Sequence, residues 1–270
     1  MVQSPEQREV TVLRAGAERL DLSVALARLD TEGYAPLGRV LGDDGLTALR
    51  ERAEDLMLGR VADPGLFFQT DAQTGHYEDA GLGWRGPSLA YRKIERLEKD
   101  ERFRAWISNP LFERVARERI AGGIALYRAI LFNKGNPGGG AIRWHQDGGT
   151  LWGLSQEPEL QIWTALDDAP AGGGCLEVVP GSHRQGLARP MGGVIPEDQL
   201  LAHRAEERAV PLPVQAGEVV LLHNHLWHRS GPSREGHRRR GFSICYMSAA
   251  TRCLRKKRAP RQFFRVFEGG

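Results

Sequence analysis

In the stretch Trp144-His145-Gln146-Asp147-Gly148-Gly149, an imidazole and a carboxylate stand two positions apart. In extended backbone, residues two apart project to the same side, so His145 and Asp147 can offer a ring nitrogen and a carboxylate oxygen to one ion. A third ligand must come from elsewhere. The run HNHLWHRSGPSREGHRRRGFS, residues 223–243, supplies His223, His225 and His228 at the end of an apolar segment, then a turn and an arginine cluster. Two imidazoles and one carboxylate on one face of an ion leave the opposite positions open, which suits non-haem Fe(II). By itself an H-x-D pair has little force, and the later histidines read equally as members of a wet, basic loop. The order of the parts carries more weight: H-x-D, a gap of about eighty residues, His-x-Ser-Gly-Pro, then arginine before a strand. A guanidinium fork is the group that would grip the far carboxylate of a dicarboxylate held on the metal.

Such ligands need a scaffold that brings distant segments together. After about residue 122 the chain breaks into GIALYRAILFN (123–133), ELQIWTALDD (159–168), CLEVVPG (175–181), GEVVLLHNH (217–225) and GFSICYM (241–247). These are β-branched or aromatic runs bounded by Gly, Pro and Asp, which read as short strands. Many short strands without long intervening helices predict an antiparallel sandwich or barrel. Ahead of them, GYAPLGRVL (33–41) reads as a strand. GDDGLTALRERAEDLML reads as a helix capped by Asp43 or Asp44, with Leu46, Leu49, Ala53 and Leu56 at helical spacing. Residues 60–90 read as loop, and 93–120 as two helices broken at Asn109-Pro110, after an opening amphipathic stretch. The expected architecture is mainly β: a single domain over 1–270, with a helical layer in about 1–122 and a jelly-roll core in about 123–250.

Composition narrows the class. Of 270 residues, 41% are apolar and 26% charged, as in ordinary globular proteins. The three cysteines, Cys175, Cys245 and Cys253, form no C-x-x-C pair, which fits a reducing cytosol better than a disulfide framework. The N-terminus MVQSPEQREV is too polar for a secretory signal, and no apolar run reaches the roughly 18 residues of a membrane span. The formal net charge of +3 hides a local excess at Arg238 to Arg240 and at Arg252, Arg255, Lys256, Lys257, Arg258, Arg261 and Arg265. Without aromatic interleaving, that excess reads as a solvated basic segment rather than a nucleic-acid surface. The expectation is a cytoplasmic monomer or homodimer that acts on a small molecule and engages neither membrane nor nucleic acid.

RWHQDGG, GGGCLEVVPGSH, GEVVLLHNHLWHRSGP and the RRRGFS approach to the last core strand occur here in that order, over roughly residues 90–250. In these pieces the chain resembles the phytanoyl-CoA dioxygenase-like branch of the Fe(II)/2-oxoglutarate-dependent oxygenases. The resemblance implies a double-stranded β-helix, the cupin-like form of jelly roll. It implies iron ligation by His145, Asp147 and, among the later histidines, His228, the one followed by x-Ser-Gly. The guanidinium eleven positions further on, Arg239, is implied to hold the distal carboxylate of 2-oxoglutarate. Its neighbours Arg238 and Arg240 have the opposite parity along the entering strand. Ser230 is implied beside the same carboxylate, Trp163 and Gln146 in the lining of the pocket, and Lys93 and Tyr127 as upstream contacts. Asp147, where halogenating relatives have Ala or Gly, disfavours a chloride site. His183, in PGSH, matches a turn rather than a ligand. Ser233 stands where the family often has Asn.

The implied reaction couples O2-dependent decarboxylation of 2-oxoglutarate, giving succinate and CO2, to hydroxylation of a small metabolite or natural-product intermediate. Desaturation, cyclisation, epoxidation and endoperoxide formation use the same parts. A non-catalytic jelly-roll binding protein would keep the fold without redox chemistry. A Zn(II) or Mn(II) hydrolase or isomerase could use the same ligands, but would give Arg239 no task.

Overall fold

The computed structural model describes residues 13, 20–70, 81–135, 140–234, 237–256 and 260–269. Most of the opening amphipathic stretch, the middle of the 60–90 segment, and Lys257 and Arg258 lie outside the described residues. Among the described residues, thirteen strands form two sheets. The larger has the order β1 (Tyr34–Arg39), β10 (Glu218–His223), β6 (Leu160–Ala165), β12 (Arg239–Ser248), β4 (Ile124–Lys134), β3 (Tyr91–Glu95), β2 (Phe67–Thr70), with β13 (Phe264–Phe267) also on β4. The smaller has the order β8 (Gly193–Val194), β5 (Ile142–Gln146), β11 (His228–Ser230), β7 (Leu176–Val178), β9 (Val210–Leu212). Every pairing is antiparallel. Two facing antiparallel sheets joined by crossovers are the jelly roll expected from the strand pattern, in its double-stranded β-helix form.

Alternation along the strands of the larger sheet separates two surfaces. The outer set, including Leu126, Ala129, Leu131, Ile162, Phe242, Ile244 and Tyr246, joins the main hydrophobic core. Helices α1 (Ser23–Glu32), α2 (Asp43–Leu58), α3 (Glu101–Ile107) and α4 (Pro110–Arg117) all contribute to that core, so the outer face is sealed. Trp106 Nε1 donates to Thr164 Oγ1 at 3.0 Å, and Tyr246 Oη to the Ile107 carbonyl at 2.5 Å. These bonds satisfy polar atoms that burial would otherwise strand. The inner set reads across the register as Arg239 opposite Lys134, Gly241 opposite Phe132, Ser243 opposite Trp163 and Ile130, and Cys245 opposite Gln161 and Arg128. That face is unusually polar for a sheet interior, and the smaller sheet closes over it. Two short helices, α5 (Glu197–Ala202) and α6 (Ala205–Arg208), lie in the connection before β9.

Several local expectations are corrected. Residues 91–95 form a strand, not the start of a helix: they pair with β4 on one side and β2 on the other, and Tyr91 and Ile94 are buried. The two helices expected over 93–120 occupy only Glu101–Ile107 and Pro110–Arg117, separated as expected at Asn109, whose side chain accepts from the Leu111 N–H. The segment ahead of residue 122 is not helical alone, since β1, β2 and β3 extend the larger sheet. Gly42 occupies the N-cap of α2, so Asp43 and Asp44 fall in its first turn. There they face the positive end of the helix dipole. The 60–90 loop contains β2, and the basic C-terminal segment returns as β13 to pair with β4. Among the described residues, no helix is long and apolar enough to cross a membrane.

Gly241 shows how closely the inner face is packed. A Cβ there would lie 2.2 Å from the Trp163 ring. Trp163 can therefore lie across the β12 backbone only because that position lacks a side chain. Gly241→Ala should force the indole away and destabilise the fold by about 1–3 kcal/mol, read as a lower midpoint of urea unfolding with unchanged slope.

Candidate metal centre

The centre is assembled by the register between β5 and β11, in which His228 is the direct partner of His145. Their ring centroids are 4.0 Å apart. Asp147 follows β5 by one residue, and its N–H donates to the Asn224 carbonyl at 2.9 Å, tying the end of β5 to the turn before β11. One ligand atom from each of His145, Asp147 and His228 lies within 4.8 Å of the others. Gly149, at φ 82°, lets the chain leave this point tightly, and a Cβ there would sit 2.5 Å from the Gly192 nitrogen.

The tautomers follow from the acceptors. His145 Nδ1 is 2.9 Å from the Arg143 carbonyl and His228 Nδ1 is 2.8 Å from the Leu226 carbonyl. A carbonyl can only accept, so each Nδ1 carries the proton and each Nε2 presents its lone pair. Burial pushes His145 down to about 4, with the neighbouring His228 adding to the effect, so this imidazole is neutral at physiological pH. Burial alone would raise the Asp147 carboxyl. The Arg128 guanidinium, reinforced by the two histidines, overrides it and holds the group well below the usual carboxylate range. A neutral His145 and an ionised Asp147 are the protonation states a divalent cation requires of them.

Asp147 has partners that the sequence reading did not single out. Arg128 Nη2 and Gln161 Nε2 both reach its Oδ2, each at 2.6 Å. A charged residue inside the otherwise apolar GIALYRAIL strand, and a glutamine two positions from Trp163 in ELQIWTAL, were the available signals. The partnership depends on a bulge and on the folded register, which no local pattern reveals.

Beyond the carboxylate, on the same inner face, lies Arg239. It is 2% exposed, its guanidinium stacks over Trp163 at 4.8 Å, and its Nε and Nη2 have no hydrogen-bond partner. Burial lowers it to about 10, so it remains a cation. Arg240 points outward and grips Asp167 through two bonds, Nε to Oδ2 at 2.7 Å and Nη2 to Oδ1 at 2.9 Å. Arg238 pairs with Glu54. The three adjacent arginines are thus divided, two engaged outside and one held unpartnered within.

Ser230 pairs with Leu176 and Ile142 across the smaller sheet, and its hydroxyl accepts from Lys134 Nζ at 2.9 Å. Lys134, the register partner of Arg239, also donates to the Ser230 carbonyl at 3.1 Å and to the Gly231 carbonyl. It therefore straps the end of β11 to the wall that carries Arg239. Lys93 faces the same interior, opposite Phe132, with its ammonium 2.7 Å from Glu95. Tyr127 is the extra residue of a β4 bulge, where its ring stacks on Trp152 at 4.1 Å, at the Arg128 end of the strand rather than the Arg239 end. Gln146 is not brought to the ligand side. Its amide donates to the Gly186 and His225 carbonyls and accepts from the Ala188 N–H, so it braces loops on the opposite face of β5.

His223 and His225 lie outside the three-residue cluster. Their rings are 5.3 Å apart, and His223 also lies 4.8 Å from His183, whose Nε2 donates to the Asp30 carbonyl.

A jelly roll that presents two imidazoles and a carboxylate at one point of its inner wall, with a buried guanidinium beyond, is a metal-binding double-stranded β-helix of the oxygenase type. The chain belongs to the phytanoyl-CoA dioxygenase (PhyH) family, whose model matches residues 29–241. Phytanoyl-CoA dioxygenase domain-containing protein 1 of Mus musculus is 34% identical over 119 residues, 42% of this chain and 41% of that protein. The aligned part thus spans less than half the length of the mouse relative. Phytanoyl-CoA dioxygenase 1 of Oryza sativa subsp. japonica is 27% identical over 236 residues, covering 74% of this chain and 80% of that one. Among solved structures, AviO1 from Streptomyces viridochromogenes Tue57 superposes with a TM-score of 0.60 at 26% identity, over 87% of this chain and 98% of that chain. EctD from S. alaskensis, solved with 2-oxoglutarate and 5-hydroxyectoine, gives 0.69 at 22% identity over 95% and 87%. The likeness to EctD is one of fold.

His145 and His223 make the metal-free protein acid-sensitive. Burial lowers His223 from 6.5 to about 3, and His145 from 6.5 to about 4. Both values fall on folding, so the unfolded chain takes up protons first. The stability they contribute is complete above about pH 6.5 and is lost as pH falls towards the folded values. Urea unfolding of metal-free protein should show declining stability between about pH 6.5 and pH 4, and His223→Gln should make that decline shallower.

Proposed function

We propose that this chain is an Fe(II)- and 2-oxoglutarate-dependent oxygenase that hydroxylates a small metabolite or natural-product intermediate, with release of succinate and CO2. The observation that carries the reading is Arg239, a buried cation with unmet donors on the wall that also bears Asp147's partners. An unpaired buried charge is expensive unless a ligand meets it. The unmet donors of a guanidinium fork match one carboxylate of a diacid, and Trp163 supplies a flat surface that fixes the plane of the fork.

The donor set fits the metal. His145, Asp147 and His228 would hold Fe(II) through two nitrogens and one oxygen, leaving the open positions a chelating co-substrate and O2 need. Bound there, iron supplies the oxidising chemistry, and the chain supplies charge, orientation and exclusion of water. Ser230 would flank the far carboxylate, its place fixed by Lys134. Lys93 would line the same interior, and Tyr127 with Trp152 would form the wall beside Arg128. A hydrolytic metal at the same ligands would leave Arg239 without a role.

The substrate is the least constrained part. EctD was solved with 5-hydroxyectoine and the epimerase SnoN with nogalamycin RO, both small molecules. A small-molecule substrate is the corresponding reading here, with desaturation or cyclisation as other outcomes of the same machinery.

With Fe(II) under air, the protein should convert 2-oxoglutarate to succinate, slowly without substrate, and Asp147→Ala should abolish that turnover. Arg239→Met should raise KM for 2-oxoglutarate at least ~30-fold, the equivalent of losing ~2 kcal/mol at a buried charge pair. The same change should leave the ligand-free protein as stable as before or more stable, because it removes an uncompensated buried cation. No succinate across a broad substrate panel, or an unchanged KM in Arg239→Met, would overturn the reading.

A further inference from the structure

Resting on the co-substrate reading above, we propose that Lys134 is a positioning residue that commits the Ser230 hydroxyl to donating its proton into the interior. Ser230 follows the ligand His228 by two residues on β11, so both side chains face inward. Two strand residues span about 7 Å, a distance that a short diacid anchored at the metal can bridge. Lys134 stands on the opposing sheet, where it is the register partner of Arg239. Its ammonium reaches across to β11 and donates to the Ser230 hydroxyl at 2.9 Å, the Ser230 carbonyl at 3.1 Å and the Gly231 carbonyl.

The bond between Lys134 and Ser230 has one possible direction. An ammonium carries three protons and no lone pair, so the serine oxygen must accept. The hydroxyl proton is thereby turned away from Lys134. Ser230 is 2% exposed, and among the described residues no acceptor takes that proton. Arg239 Nε and Nη2 are in the same condition. Ser230 and Arg239 belong to one neighbourhood: Leu176, the β7 partner of Ser230, packs in one cluster with Trp163, the ring under the Arg239 guanidinium. Three buried donors therefore share one end of the interior.

The consequence is selectivity. An ionised carboxylate has two oxygens and no proton, so it can accept from all three donors. A serine without Lys134 would turn to suit its neighbour, accepting from an amide as readily as donating to a carboxylate. Removing the ammonium would also free the Ser230 and Gly231 carbonyls, which would then compete for the hydroxyl proton. Lys134 closes both options. It acts on the far carboxylate through Ser230.

Calorimetry on the full chain loaded with Mn(II) tests this without turnover. 2-Oxoglutarate is titrated into wild type, Lys134→Met, Ser230→Ala and the double variant, and the Mn(II) affinity of each is measured. Ser230→Ala should weaken 2-oxoglutarate about tenfold, the worth of one hydrogen bond to a charged group. Lys134→Met should weaken it about three- to tenfold, since the serine can still donate once the carbonyls have been outcompeted. Both changes act through one hydroxyl, so the double variant should bind within about twofold of Ser230→Ala. Mn(II) affinity should stay at the wild-type value, whereas a loosened β11 would misplace His228 and lower it. A double variant weakened by the product of the single effects overturns the proposal, because Lys134 then acts by charge alone. So does a loss of Mn(II) affinity in Lys134→Met, or wild-type affinity for 2-oxoglutarate in either single variant. If Lys134→Met does not fold, Ser230→Ala decides: weakened binding supports the proposal and unchanged binding overturns it. All of these outcomes spare the co-substrate reading. No binding of 2-oxoglutarate to Mn(II)-loaded wild type overturns both.

Discussion

The site depends first on the register of two short strands. β5 and β11 meet so that His145 lies opposite His228, and both rings project towards the larger sheet. Side chains alternate with period two, so a slip of one residue would turn either ring to the outer face and put Gln146 or Arg229 in its place. Neighbouring contacts oppose that slip. Gln146 is anchored to loops by three backbone bonds on one side of β5, and Arg229 pairs with Glu177 and Glu206 on the outer side of β11. The residues beside the ligands thus hold the ligands in phase, although they take no part in binding an ion.

The second constraint is charge. The interior admits Arg128, Lys134, Arg239 and Asp147, and only some of these are matched by the protein itself. Arg128 has Asp147, and Lys134 has carbonyls and a hydroxyl at the end of β11. Arg239 has an aromatic face and no acceptor for two of its nitrogens. Buried charges in a folded protein are normally satisfied, so two unmet donors on one buried guanidinium set Arg239 apart from Lys134 beside it. Outward-facing Arg240, with its two-bonded Asp167, shows what the same residue type does when its task is structural.

The candidate site was more legible in the sequence than the scaffold was. His145 and Asp147 stood out because metal ligation demands particular side chains at a set spacing, whereas His228 and Arg239 were singled out by the family resemblance, with alternation along the strand setting Arg239 apart from its neighbours. The strands of the second half were visible for the same reason: their cores are apolar and their ends carry Gly, Pro and Asp. The first half misled, because YRKIERLEKD carries charge at a density that suits a helix surface, whereas Tyr91–Glu95 lies at the margin of a sheet whose inner face is polar. Arg128 and Gln161 were hidden for a related reason. Their role follows from a three-strand register and a bulge, and long-range pairing leaves no periodic trace in one strand.

The two arginines of the inner wall divide the interior between protein and ligand. Arg128 is neutralised by Asp147, so that pair adds no net charge, whereas Arg239 has no acceptor for two of its nitrogens. A divalent cation at the centre would add two positive charges to a buried region that already carries an excess. A dianionic diacid alone would meet Arg239 with one carboxylate and leave the second without the metal. Only the two together leave the buried charge as it was in the empty protein, and the second carboxylate then finds its counter-ion in the metal. Burial makes any imbalance costly, so each should bind more tightly when the other is present, and by linkage the enhancement is reciprocal. The wall that fixes Asp147 and the wall that leaves Arg239 unmet therefore work as one device, selecting for a metal and a diacid together over either alone.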